Sequence, residues 1–364
     1  PDSILDQQAC QQRGNNVNTQ INLSRAAQTL KFCEENGISL RGHTFVWYSQ
    51  TRDWFFRENF SQNGAYVSKD IMDKRLESMI KNTFEALKTQ YPKLDVYSYD
   101  VCNELFLNDG GGMRPANNSN WVRVYGDDSF VINAFKYARQ YAPAGCKLYL
   151  NDYNEYIPAK TNDIYNMAMK LKQLGYIDGI GMQSHLDTSY PDAKTYETAL
   201  KKFLSTGLEV QITANNDNAQ ADLYESIFKL AMEHADQIPA VTVWGTTDNV
   251  SWRAQQNPLL FKAGYQPKLA YNRIIALTAN GQKPVTTQAP VTQQVVTTTT
   301  VAQPQNNWNN DWNNNNWNND WNNNNNNQWN PQQNNNAGTP ANGQKYSVGN
   351  GMHQHKSDNV DGYS

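Results

Sequence analysis

No run of about 18 apolar residues occurs in this 364-residue chain, so no helix long and apolar enough to cross a bilayer is expected. There is no basic stripe either. A formal charge of −3 and a pI near 6.0 argue against nucleic acid as a partner. The four cysteines, Cys10, Cys33, Cys102 and Cys146, show no C-x-x-C spacing and no histidine cluster beside them, so neither a metal nor a cofactor is expected. Pro1-Asp2-Ser3-Ile4 has no charged n-region and no apolar h-region, so no signal peptide is read there. The last absence is chemical. Leu208-Glu209-Val210-Gln211-Ile212-Thr213 reads as a buried strand, yet it stops in Ala214-Asn215 without a carboxylate.

What the chain does have is a series of apolar runs with polar and aromatic ends. Strands are expected over Ile38–Trp47, Val96–Glu104, Lys147–Asn154, Asp178–Leu186, Leu208–Thr213 and Ala240–Asp248. Helical runs separate them. In Asp73–Leu87, for example, Leu76, Met79, Ile80, Thr83, Phe84 and Leu87 recur at i, i+3, i+4 spacing. Repeated βα units imply a parallel sheet, either doubly wound or closed into an eight-stranded barrel. Side chains suited to chemistry at nearly every strand's C-terminal end favour the barrel, because that rim is where barrel enzymes carry their sites. Only six strands are legible, so residues 1–281 read as a TIM (β/α)8 barrel that shows strands 3–8, with the chain beginning after two βα units.

The composition then changes. Residues 282–342 read as a linker, first Thr/Pro-rich and then Asn/Gln/Trp-rich, in which Trp308–Asn316 is repeated from Trp317 to Asn325. Such a tract buries too little apolar surface to offset chain entropy, and a disordered low-complexity tail is expected. Its tryptophans read more readily as a sticky spacer than as a sugar-binding platform. From residue 343 the composition is ordinary again.

The rim residues suggest carbohydrate. His43 and Trp47 close the first strand, Asn103 and Glu104 the second, Tyr153 the third, Gln183 and His185 the fourth, and Trp244 and Trp252 follow the last. Indole faces pack on the apolar faces of pyranose rings, while amides and imidazoles bond hydroxyls in fixed directions. Any one of these residues taken singly is more often structural, but the pattern recurs at five strand ends.

Arg41-Gly42-His43-Thr44 with Trp47, Asp100–Glu104, Gly181–His185, Leu208–Thr213, Trp244-Gly245 and Ser251-Trp252-Arg253 together resemble family 10 glycoside hydrolases, the endo-1,4-β-xylanases built on a TIM barrel. The resemblance covers about residues 1–277. It implies endo-acting, retaining hydrolysis of β-1,4-xylosidic bonds in xylan. Glu104 is then the acid/base and Asn103 the partner of the sugar 2-hydroxyl. His43, Trp47 and Gln183 line the pocket, His185 bonds the nucleophile, Trp244 and Trp252 wall the site, and Tyr153 lies on the leaving-group side. The chain departs from the family where Thr213 meets Ala214 instead of Glu, leaving the nucleophile position vacant at Ala214 with Asp217 the nearest carboxylate. A second departure is Tyr48, where the family usually has histidine. The two resulting readings are an impaired xylanase and a non-catalytic xylan-binding barrel. Both imply xylan and xylo-oligosaccharides as partners, secretion, and membership of a longer multidomain chain. Residues 343–364 resemble the opening of a family 11 xylanase domain.

Overall fold

The computed structural model describes residues 1–186, 190–214, 219–251 and 253–279, together with three short strands between residues 345 and 363. Six parallel strands form one sheet in chain order: β1 (Leu40–Trp47), β2 (Val96–Asn103), β3 (Lys147–Asp152), β4 (Gly179–Met182), β5 (Glu209–Ala214) and β6 (Ala240–Val243). All six expected strands are present, and the sheet is that of a partial TIM barrel. Helices α1 (Gln7–Arg13) and α2 (Ala27–Asn36) precede β1, and α3 (Lys69–Gln90) joins β1 to β2. The short α4 (Asn120–Tyr125) and α5 (Ser129–Tyr141) lead to β3. Then α6 (Pro158–Gln173), α7 (Ala193–Leu204) and α8 (Ala219–Glu233) alternate with the remaining strands, and α9 (Leu269–Ala279) follows β6. The linker expected over 282–342 lies outside the described residues. Strands Lys345–Val348, Met352–Ser357 and Val360–Tyr363 form a small antiparallel sheet.

Four of the six strands end earlier than their apolar runs suggest, while β1 ends at Trp47 as expected and β5 runs one residue further, to Ala214. β4 stops at Met182 rather than near Leu186, and β6 stops at Val243 rather than near Asp248. The cause is backbone conformation. Glu104 (φ 56°), Asn154 (φ 52°), Ser184 (φ 48°) and Gly245 (φ 131°) have positive φ, which cannot continue a pleated ladder. Glu104, Tyr153, Gln183, His185 and Trp244 therefore lie in the turns just past the sheet, whereas His43, Trp47 and Asn103 stand on the strands themselves.

Inside the sheet, bulky side chains are accommodated by glycine. A Cβ on Gly42 would lie 2.1 Å from the Tyr99 ring, and one on Gly181 would lie 2.2 Å from Asn151 Oδ1. Phe45 stacks on Tyr99 with centroids 4.0 Å apart. Outside the sheet, α3 starts at Ser68, whose Oγ accepts from Ile71 N–H at 3.4 Å. Its face of Met72, Leu76, Met79, Ile80, Phe84 and Leu87 is buried, as its spacing predicts.

Arg75 lies on that same buried face, which the periodicity does not predict. Its guanidinium donates to the main-chain oxygens of Asn16 (2.8 Å), Phe55 (2.7 Å) and Arg57 (2.9 Å) and stacks on Phe60. It thereby fastens the N-terminal segment and the β1–α3 connection to α3. Burial pulls its pKa down to about 10, so it stays charged at neutral pH. Truncation leaves the Asn16 and Phe55 carbonyls without a donor, each costing about 1–3 kcal/mol when buried, whereas Arg57 O keeps the N–H of Phe60 at 3.1 Å. Arg75→Ala is therefore expected to lower the urea-unfolding free energy by at least about 2 kcal/mol, and a loss under about 1 kcal/mol would contradict this account.

Candidate active site

Glu104 follows the last residue of β2, and its side chain is buried. Trp47 Nε1–H donates to Oε2 at 2.8 Å, and Gln183 Nε2–H donates to Oε1 at 3.1 Å. The Gln183 amide also reaches Asn103 Oδ1 at 3.0 Å, which accepts in addition from Asn151 Nδ2 at 2.8 Å. Asn103 Nδ2 is buried and has no protein partner among the described residues, so it presents a free donor beside the carboxyl. Loss of water raises the Glu104 pKa, and the nearby Asp152 raises it further. The bonds from Trp47 and Gln183 and the charge of Arg114 pull part of the way back, and the net shift is upward. This favours a carboxyl able to hold a proton for delivery.

His43 belongs to the same cluster of side chains. Its Nδ1 donates to Asp100 Oδ2 at 2.8 Å, which fixes the ring and leaves Nε2 available. Its ring meets Trp47 edge-on at 5.9 Å and Trp244 at 5.2 Å, so the two indoles flank one imidazole. Trp244 is 47% exposed, a large apolar face open to solvent beside buried polar groups. Asp100 is buried. Burial would raise its pKa, but the Arg41 guanidinium at 2.7 Å and the His43 bond more than reverse this, and it stays ionised. Arg41 also bonds Gln211 on β5, whose Nε2 donates to Tyr149 OH at 2.9 Å; Tyr149 OH in turn donates to Glu209 at 2.5 Å.

On the other side of Glu104, Arg114 donates to the Tyr153 hydroxyl at 2.9 Å and stacks 3.8 Å over the Tyr48 ring. Burial and the Glu104 charge push the Tyr48 hydroxyl up to about 12, so it is a neutral donor at any working pH. Asp152 pairs with the fully buried Lys160 at 2.8 Å. The half-buried His185 is pushed down to about 3 by desolvation and the Arg253 charge, and is therefore neutral.

The structure thus joins His43, Trp47, Asn103, Glu104, Gln183 and Trp244 in one contact network and reaches Tyr153 through Arg114. His185 follows Gln183 by two residues. Trp252 and Asp217 lie outside the described residues. Ala214 ends β5, its backbone in register with Val243.

Sequence reasoning passed over Arg41, Asp100, Arg114, Asp152, Glu155 and Lys160. For Arg41, Asp100 and Asp152 a signal existed, since a charge inside a buried strand requires a partner. Arg114, in an irregular loop, gave none. Glu155 is fully buried. Its Oε1 accepts from Ser184 N–H (3.0 Å) and Oγ–H (2.9 Å), and Ser184 Oγ lies 2.8 Å from Tyr196 OH. It thus anchors the turn that carries Gln183 and His185. Burial lifts its pKa from 4.5 to about 7, with the Ser184 bonds and Lys160 opposing. Between those values the folded chain holds a proton that the unfolded chain has lost, so this group's contribution to stability falls as pH rises from 4.5 to 7. The slope is at most about 1.4 kcal/mol per pH unit. Glu155→Gln removes the titration. The stability difference between parent and variant should therefore move in the variant's favour across that window in urea melts, and a difference that is flat or runs the other way would refute it.

The chain matches the family model described as glycosyl hydrolase family 10 over residues 3–277. It is 84% identical over 282 residues to a bifunctional endo-1,4-beta-xylanase of Ruminococcus flavefaciens, a match covering 76% of this chain and 30% of that protein. It is 43% identical over 305 residues to endo-1,4-beta-xylanase Y of Acetivibrio thermocellus, covering 76% and 28%. The chain therefore spans less than a third of the length of these relatives. Among solved structures, it aligns with a TM-score of 0.72 and 42% identity to the CBM22-1–GH10 modules of a Clostridium thermocellum endo-1,4-beta-D-xylanase complexed with xylohexaose, covering 76% of this chain and 59% of that one. An intracellular xylanase of Thermoanaerobacterium saccharolyticum aligns with a TM-score of 0.64 and 33% identity, covering 70% and 81%. Two glutamate-to-alanine mutants of that enzyme are also solved, one with xylotetraose and one with xylotriose. This chain belongs to glycosyl hydrolase family 10.

Proposed function

We propose that the rim binds β-1,4-xylan and xylo-oligosaccharides, and that the fold serves endo-acting, retaining cleavage of xylosidic bonds with Glu104 as acid/base. The observation that carries this reading is the buried Glu104 carboxyl, held by Trp47 and Gln183 beside the free amide of Asn103 and the exposed face of Trp244. A sugar stacked on Trp244 would place its ring hydroxyls against His43, Asn103 and Gln183. Tyr153 would face the leaving group, and His185 and Trp252 would complete the walls. In a retaining glycosidase the acid protonates the departing oxygen while a second carboxylate about 5 Å away attacks the anomeric carbon. This chain has Ala214 where that second carboxylate is expected, so we propose that turnover is impaired and that binding survives. The sugar complexes of the Thermoanaerobacterium mutants favour this separation, since each binds a xylo-oligosaccharide with one glutamate replaced. We further propose that the chain acts outside the cell, where polymeric xylan is found, within a longer multidomain protein whose next domain begins near residue 343.

Azide provides the test. The anion attacks the anomeric carbon, the bond to the aryl oxygen breaks, and the product is the inverted glycosyl azide. With 4-nitrophenyl xylobioside, hydrolysis in buffer should be very slow, and azide should raise the rate and yield that azide. Xylohexaose should perturb tryptophan fluorescence, and Trp244→Ala should weaken binding about 10-fold or more, the worth of a lost stacking contact of about 1.4 kcal/mol. Ala214→Glu should restore retaining hydrolysis. Rapid retaining hydrolysis by the parent chain would overturn the impairment, and binding indifferent to Trp244→Ala would overturn the site.

A further inference from the structure

Glu104 has an L side chain in the left-handed region (φ 56°), a conformation that costs about 1–3 kcal/mol at a functional site. Two main-chain bonds hold it there. Its N–H donates to Asn151 O at 2.9 Å, which ties it to β3. Its carbonyl oxygen accepts from Arg114 Nε at 2.9 Å. The second bond comes from a side chain whose own placement is unusually constrained. Arg114 is 4% exposed. Its NH1 donates to Asn118 Oδ1 at 3.1 Å, and its NH2 donates to Asn108 Oδ1 at 3.1 Å and to Tyr153 OH at 2.9 Å. Its main-chain N–H donates to Leu105 O at 3.0 Å, and the guanidinium plane rests on the Tyr48 ring.

All of these side-chain acceptors are neutral. A buried guanidinium normally takes a carboxylate partner, because desolvating the charge is otherwise costly. Here the contacts fix its position, with the carboxyl groups of Asp152 and Glu104 close enough to act on its charge. The other groups around that carboxyl are Asp152 on β3, with Lys160 of α6 against it, and the hydroxyls of Tyr48 and Tyr153.

We propose that Arg114, seated on Tyr48, is a positioning residue for Glu104: it holds the acid's main chain in the left-handed turn that delivers the carboxyl to Trp47 and Gln183, and it places a positive charge beside that carboxyl. The proposal rests on the reading of Glu104 as acid/base, and deepens it. An acid/base residue must give up its proton in one step and regain it in the next. Burial and then Asp152 favour the proton on Glu104, and Arg114 opposes them in part. The fork geometry matters as well as the charge, because only a guanidinium reaches the Glu104 carbonyl, both asparagines and Tyr153 at once.

The test uses the Trp47 indole, whose N–H is bonded to Glu104 Oε2 and reports its ionisation. In the full chain labelled with ¹⁵N-tryptophan, the Trp47 cross-peak, assigned by its loss in Trp47→Phe, should titrate with pH. It should cease to do so in Glu104→Gln. Arg114→Met should move the midpoint up by one unit or more. Arg114→Lys keeps the charge and loses the fork, so it should shift the cross-peak toward its position in Glu104→Gln with a smaller change in midpoint. If Arg114→Met does not fold, Tyr48→Ala, which removes the seat, should give the same displacement in weaker form, whereas Tyr48→Phe should not. A chemical readout accompanies this. In azide, cleavage of phenyl xylobioside, which needs a proton on its leaving oxygen, should fall about 10²-fold or more in Arg114→Lys, within the range for loss of a positioned acid. The 2,4-dinitrophenyl substrate, which needs none, should change less than about 3-fold.

An unchanged cross-peak and midpoint in Arg114→Met or Tyr48→Ala, with only a lower melting temperature, would reduce Arg114 to a structural role and overturn the proposal. So would equal losses on both substrates. The two readings fail separately. If the chain does not bind xylan, the sugar assays are silent but the indole titration still reports the coupling of Arg114 to Glu104.

Discussion

The carboxyl of Glu104 is removed from water and held on a backbone that its side chain disfavours, and the arrangement of the rim follows from the need to keep it there. Four hydrogen bonds meet the residue: from Trp47, from Gln183, from Arg114, and its own N–H to Asn151. At about 0.5–1.5 kcal/mol each, and more for those to an ionised group, they outweigh a backbone strain of about 1–3 kcal/mol. Each partner comes from a different element: the end of β1, the turn after β4, the loop after β2, and β3. The Glu104 carboxyl is therefore held in this position only when all four elements are in register, so the site and the sheet are formed together.

Much of the charge at the rim is arranged in compensated units. Arg41 offsets Asp100, and Lys160 offsets Asp152, in both cases within 3 Å and nearly out of water. Such pairs add little net stability but are costly to break, so they fix geometry more than they raise the melting point. Asp100 holds His43, and Asp152 accepts from the main-chain N–H of Tyr153 at 2.9 Å, so both pairs orient rim residues. Arg114, like Arg75 farther from the rim, bonds no carboxylate; its side-chain acceptors are neutral and Glu104 lies beside it. The asymmetry lies beside the one carboxyl whose protonation state is proposed to change during the reaction.

The strands and the main rim residues were legible because two signals coincided. Apolar runs such as Val96–Cys102 located the strands, and the polar or aromatic residue that broke each run marked its open end. Their true bounds were not legible, since the break is a positive φ at Glu104 or Ser184 that no propensity assigns to those residue types. The helical face of α3 was readable from its spacing, whereas the burial of Arg75 was not, because its acceptors at Asn16 and Phe55 lie far away in sequence. Arg114 illustrates the limit more fully. Its acceptors Asn108 and Asn118 are local, but its seat on Tyr48 and its bond to Tyr153 depend on the tertiary fold.

Curvature links the sheet to the chemistry. Adjacent strands lie about 4.8 Å apart, so β1 and β5, four ladder steps from one another, would stand about 19 Å apart in a flat sheet. Yet the Arg41 guanidinium bonds the Gln211 side chain across that interval, a reach available only if the sheet curls strongly about its interior. Arg41–Gln211 is thus a crossbar for the curl, and Tyr149 and Glu209 extend it along the β5 side. The proposed functions depend on that curl to different degrees. The binding wall of His43, Trp47, Asn103 and Gln183 draws on β1, β2 and the end of β4, and much of it is connected by direct bonds. Two carboxyl groups about 5 Å apart, one after β2 and one at the end of β5, would have to meet across three ladder steps, about 14 Å if flat. Loosening the curl would therefore cost turnover before it cost sugar binding, and a carboxylate restored at position 214 would act only as well as the crossbar holds β5 toward β2.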